Sequence, residues 1–174
     1  MSDVKYVVVL PTNPQYDRVT EVAIRGTLLQ EPQQFSINFV NSPSCTDNIT
    51  YHFKVNIPSQ KIIQNYKSEG EWSASEQQTV LNIFDGKSDS NKSKNLGNIN
   101  GGLDAANNYS FTEAAFSLEF KLDYENSSIR VHQRRGKGAN YVTEYETFFS
   151  LSEIQSIQIW GDIKKINQFS LNYD

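Results

Sequence analysis

Short runs in which apolar and polar residues alternate make up most of the chain, and Asn, Gly, Ser and Pro separate them. In Phe35–Phe39, for example, every second residue is apolar, so the apolar side chains fall on one face of an extended strand. The runs that predict strands are Tyr6–Leu10, Glu21–Gly26, Phe35–Phe39, Thr50–Asn56, Lys61–Asn65, Thr79–Phe84, Phe116–Leu122, Ser128–Gln133, Glu144–Phe149, Ile157–Trp160 and Ile166–Tyr173. Short strands with turn signals between them indicate an all-β, antiparallel sandwich.

Two segments depart from this alternation. Leu151–Ser156 has room for about one turn of helix before the next strand, and no longer stretch has the periodicity that an α+β domain would need. Asp85–Ser110 is rich in Asn, Ser, Gly and Lys and has almost no apolar side chains, so it predicts a flexible insertion between two strands. Because nothing resembles a linker elsewhere, residues 1–174 are predicted to form a single domain.

Charge and cysteine content narrow the class of function. With 16 Lys and Arg against 20 Asp and Glu, the formal net charge is -4, which argues against nucleic acid as the partner. The basic residues Arg134, Arg135 and Lys137 predict a hairpin tip, with a patch for polyanions as the minor alternative. Cys45 is the lone cysteine, so an intrachain disulfide is excluded and a reducing compartment is favoured. No run has the pattern of a signal peptide or the length of a membrane span, so membrane insertion is not expected.

Residue patterns that support catalysis or metal binding are missing from the sequence. The two histidines, His52 and His132, fall in separate predicted strands, and no metal-ligand spacing accompanies them. Glu71 and Glu76 lie in one short loop, whereas a glycoside hydrolase needs two carboxylates that face each other across a cleft. The sequence therefore predicts a protein that is not an enzyme and that holds no metal or cofactor.

Polar side chains share one face of the fourth predicted strand. Strand alternation places His52, Lys54 and Asn56 on this face and directs Phe53 and Val55 into the core. A row of this kind is either a solvated surface or the wall of a binding site.

Trp72 follows in a polar loop with no evident core to fill, and the strand before it ends at Asn65. An exposed indole can stack on the apolar C–H face of a hexose, while His, Asn, Lys and Glu side chains bind its hydroxyl groups. These residues therefore suggest a shallow sugar site. The alternative, in which Trp72 caps the end of the sandwich, carries equal weight on the residues alone.

The same residues resemble the sugar signature of the galectins, which reads His-x-Asn-x-Arg, Val-x-Asn and Trp-x-x-Glu-x-Arg. The corresponding segments here are His52-Phe-Lys54-Val-Asn56, Ile63-Gln-Asn65 and Trp72-Ser-Ala-Ser-Glu76-Gln-Gln78, the last with one extra residue after the tryptophan. The resemblance extends through Val22–Gly26, Phe35–Phe39, Ile157–Asp162 and the final strand, which is most of the chain outside Asp85–Ser110. It implies a jelly-roll sandwich of two antiparallel sheets that binds β-galactosides on one sheet.

Carried over by position, the resemblance assigns sugar binding to seven residues. They are His52, Lys54, Asn56, Asn65, Trp72, Glu76 and Gln78. Three of them depart from the family, because Lys54 replaces an asparagine while Asn56 and Gln78 replace arginines. An arginine fork holds a sugar hydroxyl and is pinned by the glutamate, so its loss predicts altered specificity.

Two functions follow from this comparison. One is a lectin that binds β-galactoside-type or related glycans and glycoproteins; the other is a galectin-like domain that has lost sugar binding and serves as a protein-interaction module. The resemblance also implies a cytoplasmic protein that can leave the cell by a non-classical route. A homodimer through the terminal segments Tyr6–Leu10 and Ile166–Tyr173 is left open.

Overall fold

The computed structural model describes residues 4–11, 18–80 and 115–174, which form β-strands and one short 3-10 helix, Leu151–Glu153. The strands are β1 (Val4–Val9), β2 (Val19–Leu28), β3 (Gln34–Val40), β4 (Ile49–Asn56), β5 (Lys61–Ser68), β6 (Glu71–Trp72), β7 (Gln77–Val80), β8 (Ala115–Asp123), β9 (Ser128–Arg135), β10 (Gly138–Glu146), β11 (Ser156–Gly161) and β12 (Ile163–Tyr173). The predicted insertion Asp85–Ser110 lies outside the described residues, as does the end of the strand predicted at Thr79–Phe84.

The strands form two antiparallel sheets. The seven-stranded sheet has the order β1-β11-β3-β4-β5-β6, and β7 also pairs with β5. The five-stranded sheet has the order β10-β9-β8-β2-β12. This arrangement confirms the predicted all-β sandwich. The terminal strands β1 and β12 lie at sheet edges, and each has register shifts in its pairing with the neighbouring strand.

The apolar faces of the two sheets meet in one core, where aromatic rings from both sheets pack against each other. Phe39 of β3 and Phe53 of β4 each place their ring against that of Phe120 of β8, with centroids 5.2 and 5.3 Å apart. All three rings are fully buried. Strand alternation explains this packing, because the apolar residues predicted on one face of each strand are the ones that the core contains.

A short chain of hydrogen bonds crosses the core from one sheet to the other. The Tyr51 hydroxyl donates to Gln64 Oε1, and Gln64 Nε2 donates to Thr143 Oγ1 at 3.1 Å. Tyr51 and Gln64 are buried almost completely, and burial raises the pKa of Tyr51 well above its ordinary value. The chain gives these buried polar groups the partners that a low-dielectric interior requires.

Strand boundaries differ most from the prediction at β10. The strand was expected at Glu144–Phe149, but it begins at Gly138 and ends at Glu146. The hairpin that starts at Gly136 allows backbone pairing from Gly138 onward although the first residues of the strand are exposed. The chain then leaves the sheet at Thr147, whose single hydroxyl proton lies between two acceptors, the carbonyl oxygens of Ser127 at 3.0 Å and Phe149 at 2.8 Å. The predicted hairpin tip and the predicted helical turn are both present.

Candidate functional site

The outer face of the seven-stranded sheet carries the predicted row of polar side chains. On β4, His52, Lys54 and Asn56 are half-buried on this face, and the residues between them are fully buried on the core side. Asn65 of β5 is the cross-strand partner of His52, so the two side chains lie side by side. Asn56 lies at the end of β4, where its Oδ1 accepts from Ser59 N–H at 3.3 Å.

His52 is held in one orientation and one protonation state. Asn38 donates through Nδ2 to Ser36 Oγ at 3.1 Å and to the Gln158 carbonyl at 3.3 Å, so its Oδ1 faces His52 Nδ1. Nδ1 must therefore carry the hydrogen of this bond, which leaves Nε2 as an acceptor. Burial lowers the pKa of His52 from 6.5 to about 3, assisted by the charges of Lys54 and Lys67. The imidazole is thus neutral at physiological pH.

The side chain of Asn65 hydrogen-bonds to the backbone of the segment that contains Trp72. Its Nδ2 donates to the Ser73 carbonyl at 3.0 Å, and its Oδ1 accepts from Tyr66 N–H at 2.9 Å. Asn65 is 4% exposed, so these bonds form almost without competition from water. The asparagine therefore positions the residue next to Trp72 and presents one remaining N–H to the site.

Trp72 lies in the two-residue strand β6, which the sequence pattern did not predict. A tight turn precedes it, with Glu69 at a φ of 53° and Gly70 at 82°. The indole is 43% exposed, and its ring lies 4.6 Å from that of His52 at an angle of 47°. Lys67 Nζ lies 5.1 Å from the ring centroid, within the range of a cation–π contact.

Glu76 and Gln78 form a pair just before and within β7. Gln78 Nε2 donates to Glu76 Oε2 at 3.0 Å, and both side chains are exposed. The sequence comparison left Glu76 without its arginine partner. In the structure a neutral amide takes that place, so the carboxylate keeps a donor but gains no compensating charge.

Trp160 of β11 is a second aromatic residue of the site that the sequence interpretation did not select. It is the cross-strand partner of Ser36, and its ring centroid lies 6.4 Å from that of His52. Its Nε1 donates to Gln158 Oε1 at 3.1 Å. Strand alternation in β11 places Trp160 and Gln158 on one face. Only the order of the sheet shows that this face is the one that carries His52.

A sharp corner after Trp160 holds β11 against β3. Gly161 has a φ of 105°, and a Cβ there would lie 2.6 Å from the Gln34 carbonyl oxygen, so the position requires glycine. Asp162 Oδ2 accepts from the N–H groups of Gln33 and Gln34 at 2.9 and 3.1 Å. The Trp-Gly-Asp sequence is the one signal in the chain that could have directed attention to Trp160.

Together these side chains surround a cleft of about 680 Å³ on the outer face of the seven-stranded sheet. Its lining contains Gln34, Phe35, Ser36, Thr46, His52, Lys54, Ile63, Asn65, Lys67, Trp72, Ser73, Glu76, Trp160 and Gly161. Five of the seven predicted site residues are among them, and Asn56 and Gln78 are not. The volume lies within the range that small-molecule sites occupy.

Two further features are absent from the part of the chain that the structure describes. There, no cluster of three or more His, Cys, Asp or Glu residues is placed to hold a metal ion. Within the same residues, no helix has the length and apolar character needed to cross a membrane.

Known proteins share the sequence pattern and the fold of this chain. The family model of the galactoside-binding lectins matches residues 5–171. Similar solved structures include sheep galectin-11 (TM-score 0.66, 14% identity, 98% of each chain covered), a variant of human galectin-16 (TM-score 0.64, 17% identity, 99% of this chain and 97% of that one) and Caenorhabditis elegans galectin LEC-6 (TM-score 0.60, 13% identity, 95% of each). At these identities the structural likeness shows the fold alone. No curated protein sequence gives a significant match.

Proposed function

Because the chain belongs to the galactoside-binding lectin family, we propose that it is a lectin without catalytic activity that binds β-galactoside-type or related glycans in the cleft between Trp72 and Trp160. The observation that carries the proposal is the exposed indole of Trp72, which lies beside an acceptor nitrogen of His52 and the amide of Asn65. An aromatic face surrounded by directional polar groups is complementary to a sugar ring, which has an apolar face of C–H groups and polar hydroxyl groups.

Each polar group of the cleft has a defined part in holding a sugar. His52 Nε2 accepts a hydrogen bond from a hydroxyl, because Nδ1 is committed to Asn38. Lys54 and the free N–H of Asn65 donate to hydroxyl oxygens, and Glu76 accepts from another hydroxyl. The sugar face that bears C–H groups packs on Trp72, which excludes water from one side of these bonds.

Altered specificity follows from the three positions that depart from the galectin signature. Lys54 supplies a mobile point charge where the family has a neutral amide. Asn56 caps a turn at the end of β4, and Gln78 offers Glu76 a single N–H. None of these side chains reproduces the planar fork of an arginine, so the hydroxyl pattern that the cleft accepts differs from that of a galectin with the complete signature.

The proposal is tested by a glycan array and a lactose titration, run in parallel on the wild-type protein and on Trp72→Ala. We expect saccharide binding by the wild type and at least a tenfold weaker affinity in the variant, about 1.4 kcal/mol, because the stacking surface is lost. Tyr141→Ala is the matched control, since Tyr141 is an exposed aromatic residue of the five-stranded sheet. Absence of saccharide binding by the wild type on both assays would refute the proposal.

A second candidate function is a protein-interaction module that has lost sugar binding, and one distance favours it. The rings of His52 and Trp72 lie 4.6 Å apart, which leaves no room for a sugar ring between them unless the indole turns away. Retention of the protein on immobilised galactose, followed by elution with free lactose, would exclude this candidate. Passage through the resin without retention, together with a negative glycan array, would support it.

A further inference from the structure

Two lysine ammonium groups, those of Lys54 and Lys67, line the cleft. Within residues 4–11, 18–80 and 115–174, neither Lys54 nor Lys67 has an Asp or Glu oxygen within ion-pair distance. The carboxylate that does line the cleft belongs to Glu76, and it is hydrogen-bonded to an amide. With His52 neutral, the cleft has a net positive charge although the chain as a whole is acidic.

The two cations lie on opposite sides of His52 along the sheet. Lys54 follows His52 by two residues on β4, whereas Lys67 lies two residues beyond Asn65, the partner of His52, on an antiparallel strand. The side chains therefore approach His52 from opposite directions along the sheet. Lys67 also places Nζ 5.1 Å from the centre of the Trp72 ring. A ligand stacked on Trp72 would lie within reach of one or both ammonium groups.

We propose that the cleft selects glycans that carry an anionic substituent, a sulfate ester or a carboxylate, beside the sugar ring that stacks on Trp72. This inference rests on the proposed lectin function and names its class of ligand. An anion that contacts Lys54 or Lys67 makes a charge-assisted hydrogen bond, which is about twice as strong as a neutral one.

A neutral sugar is disfavoured in the same cleft for the converse reason. When a glycan covers Lys54 and Lys67, their ammonium groups lose part of their hydration, and hydroxyl oxygens replace it without compensating the charge. The galectin signature has a neutral asparagine at the position of Lys54. The cost of desolvating an ammonium group there therefore distinguishes this chain from the signature. An anionic ligand neutralises the charge of the two ammonium groups, whereas a neutral ligand does not.

The test compares three ligands by isothermal titration calorimetry: lactose, lactose sulfated on its galactose ring, and lactose capped with sialic acid. We expect at least one anionic form to bind about tenfold more tightly than lactose at low ionic strength. The ratio of the affinity for the anionic ligand to the affinity for lactose should fall as the salt concentration rises to about 0.5 M, because screening weakens exposed charge pairs. Comparison of the two anionic ligands identifies which substituent the cleft prefers.

Charge-removing variants assign the preference to the cleft. Lys54→Gln and Lys67→Gln should each lower the ratio about threefold, and the double variant should bring it close to one. Lys61→Gln is the matched control, because Lys61 is an exposed lysine on the same strand as Lys67 but does not line the cleft. It should leave the ratio unchanged. Lys54→Asn, which restores the residue of the galectin signature, should favour lactose over the anionic ligands relative to the wild type.

The outcomes separate this inference from the lectin function. Equal affinity of the wild type for lactose and for both anionic forms would overturn the anion preference and leave the lectin function intact. So would a preference that survives in the double lysine variant. Absence of binding to all three ligands, together with a negative glycan array, would overturn both.

Discussion

Acidification should destabilise the protein through His52. Burial lowers the pKa of this imidazole from 6.5 in the unfolded chain to about 3 in the folded protein. Between these values the unfolded chain binds more protons than the folded one, so the free energy of unfolding rises with pH. The stabilisation from His52 is complete above the unfolded pKa and is lost progressively as the pH falls from about 6.5 towards 3.

The size of the effect follows from the two pKa values. Between about pH 8 and about pH 5 the unfolded chain takes up nearly one proton at His52, whereas the folded protein takes up almost none. This difference lowers the free energy of unfolding by about 2 kcal/mol. His132 contributes in the same direction, because burial lowers its pKa as well.

Urea denaturation of the wild type and of His52→Gln at both pH values isolates the contribution of His52. Glutamine keeps an N–H that can donate to Asn38 but cannot titrate, and the variant retains His132. The wild type should lose about 2 kcal/mol more than the variant on acidification. An NMR titration of the His52 ring should show no protonation above about pH 5. Equal losses in the two proteins, or titration of His52 near 6.5, would refute the assignment of a buried neutral imidazole.

Three further substitutions test other parts of the structure. Gly161→Ala should lower the Tm by about 5–15 °C, because the new Cβ would clash with the backbone of β3 at a left-handed φ, and an unchanged Tm would contradict this. Tyr51→Phe should cost about 1–3 kcal/mol in urea denaturation, because buried Gln64 Oε1 loses its donor; equal stability would show that the bond contributes nothing. Gln78→Ala should leave the Tm unchanged but weaken lactose binding about threefold, because the Glu76 carboxylate loses the contact that orients it. Calorimetry that shows equal affinity would exclude this role for Gln78.

The features that could be predicted from the sequence are those that depend on neighbouring residues. Strand alternation places His52 and Lys54 on one face of β4. The structure has them there because Phe53 and Val55, which alternate with them, are fully buried and so fix the direction of each side chain. The loop composition around Trp72 likewise indicated an exposed indole, which is 43% exposed. Both inferences require only a few consecutive residues.

The parts of the site that could not be predicted depend on strand order. Trp160 enters the cleft because β11, more than one hundred residues away along the chain, pairs with β3. The hydrogen bond from Asn38 to the Gln158 carbonyl, which helps to set the tautomer of His52, depends on the same pairing. Lys67 was missed for a different reason: the alternation appeared to end at Asn65, whereas backbone pairing extends β5 to Ser68. Alternation gives the face of a residue within its own strand but not the strands beside it.

The positions of the two indoles in the sheet also set how freely each can move. Trp160 belongs to β11, which is hydrogen-bonded to a strand on each side, so its amides should exchange with solvent only when a large part of the sheet opens. Trp72 belongs to β6, which is two residues long and lies at a sheet edge, where local opening costs little. One wall of the cleft is therefore rigid and the other adaptable. Reorientation of the Trp72 ring relative to His52 therefore calls for motion in the strand that opens most easily.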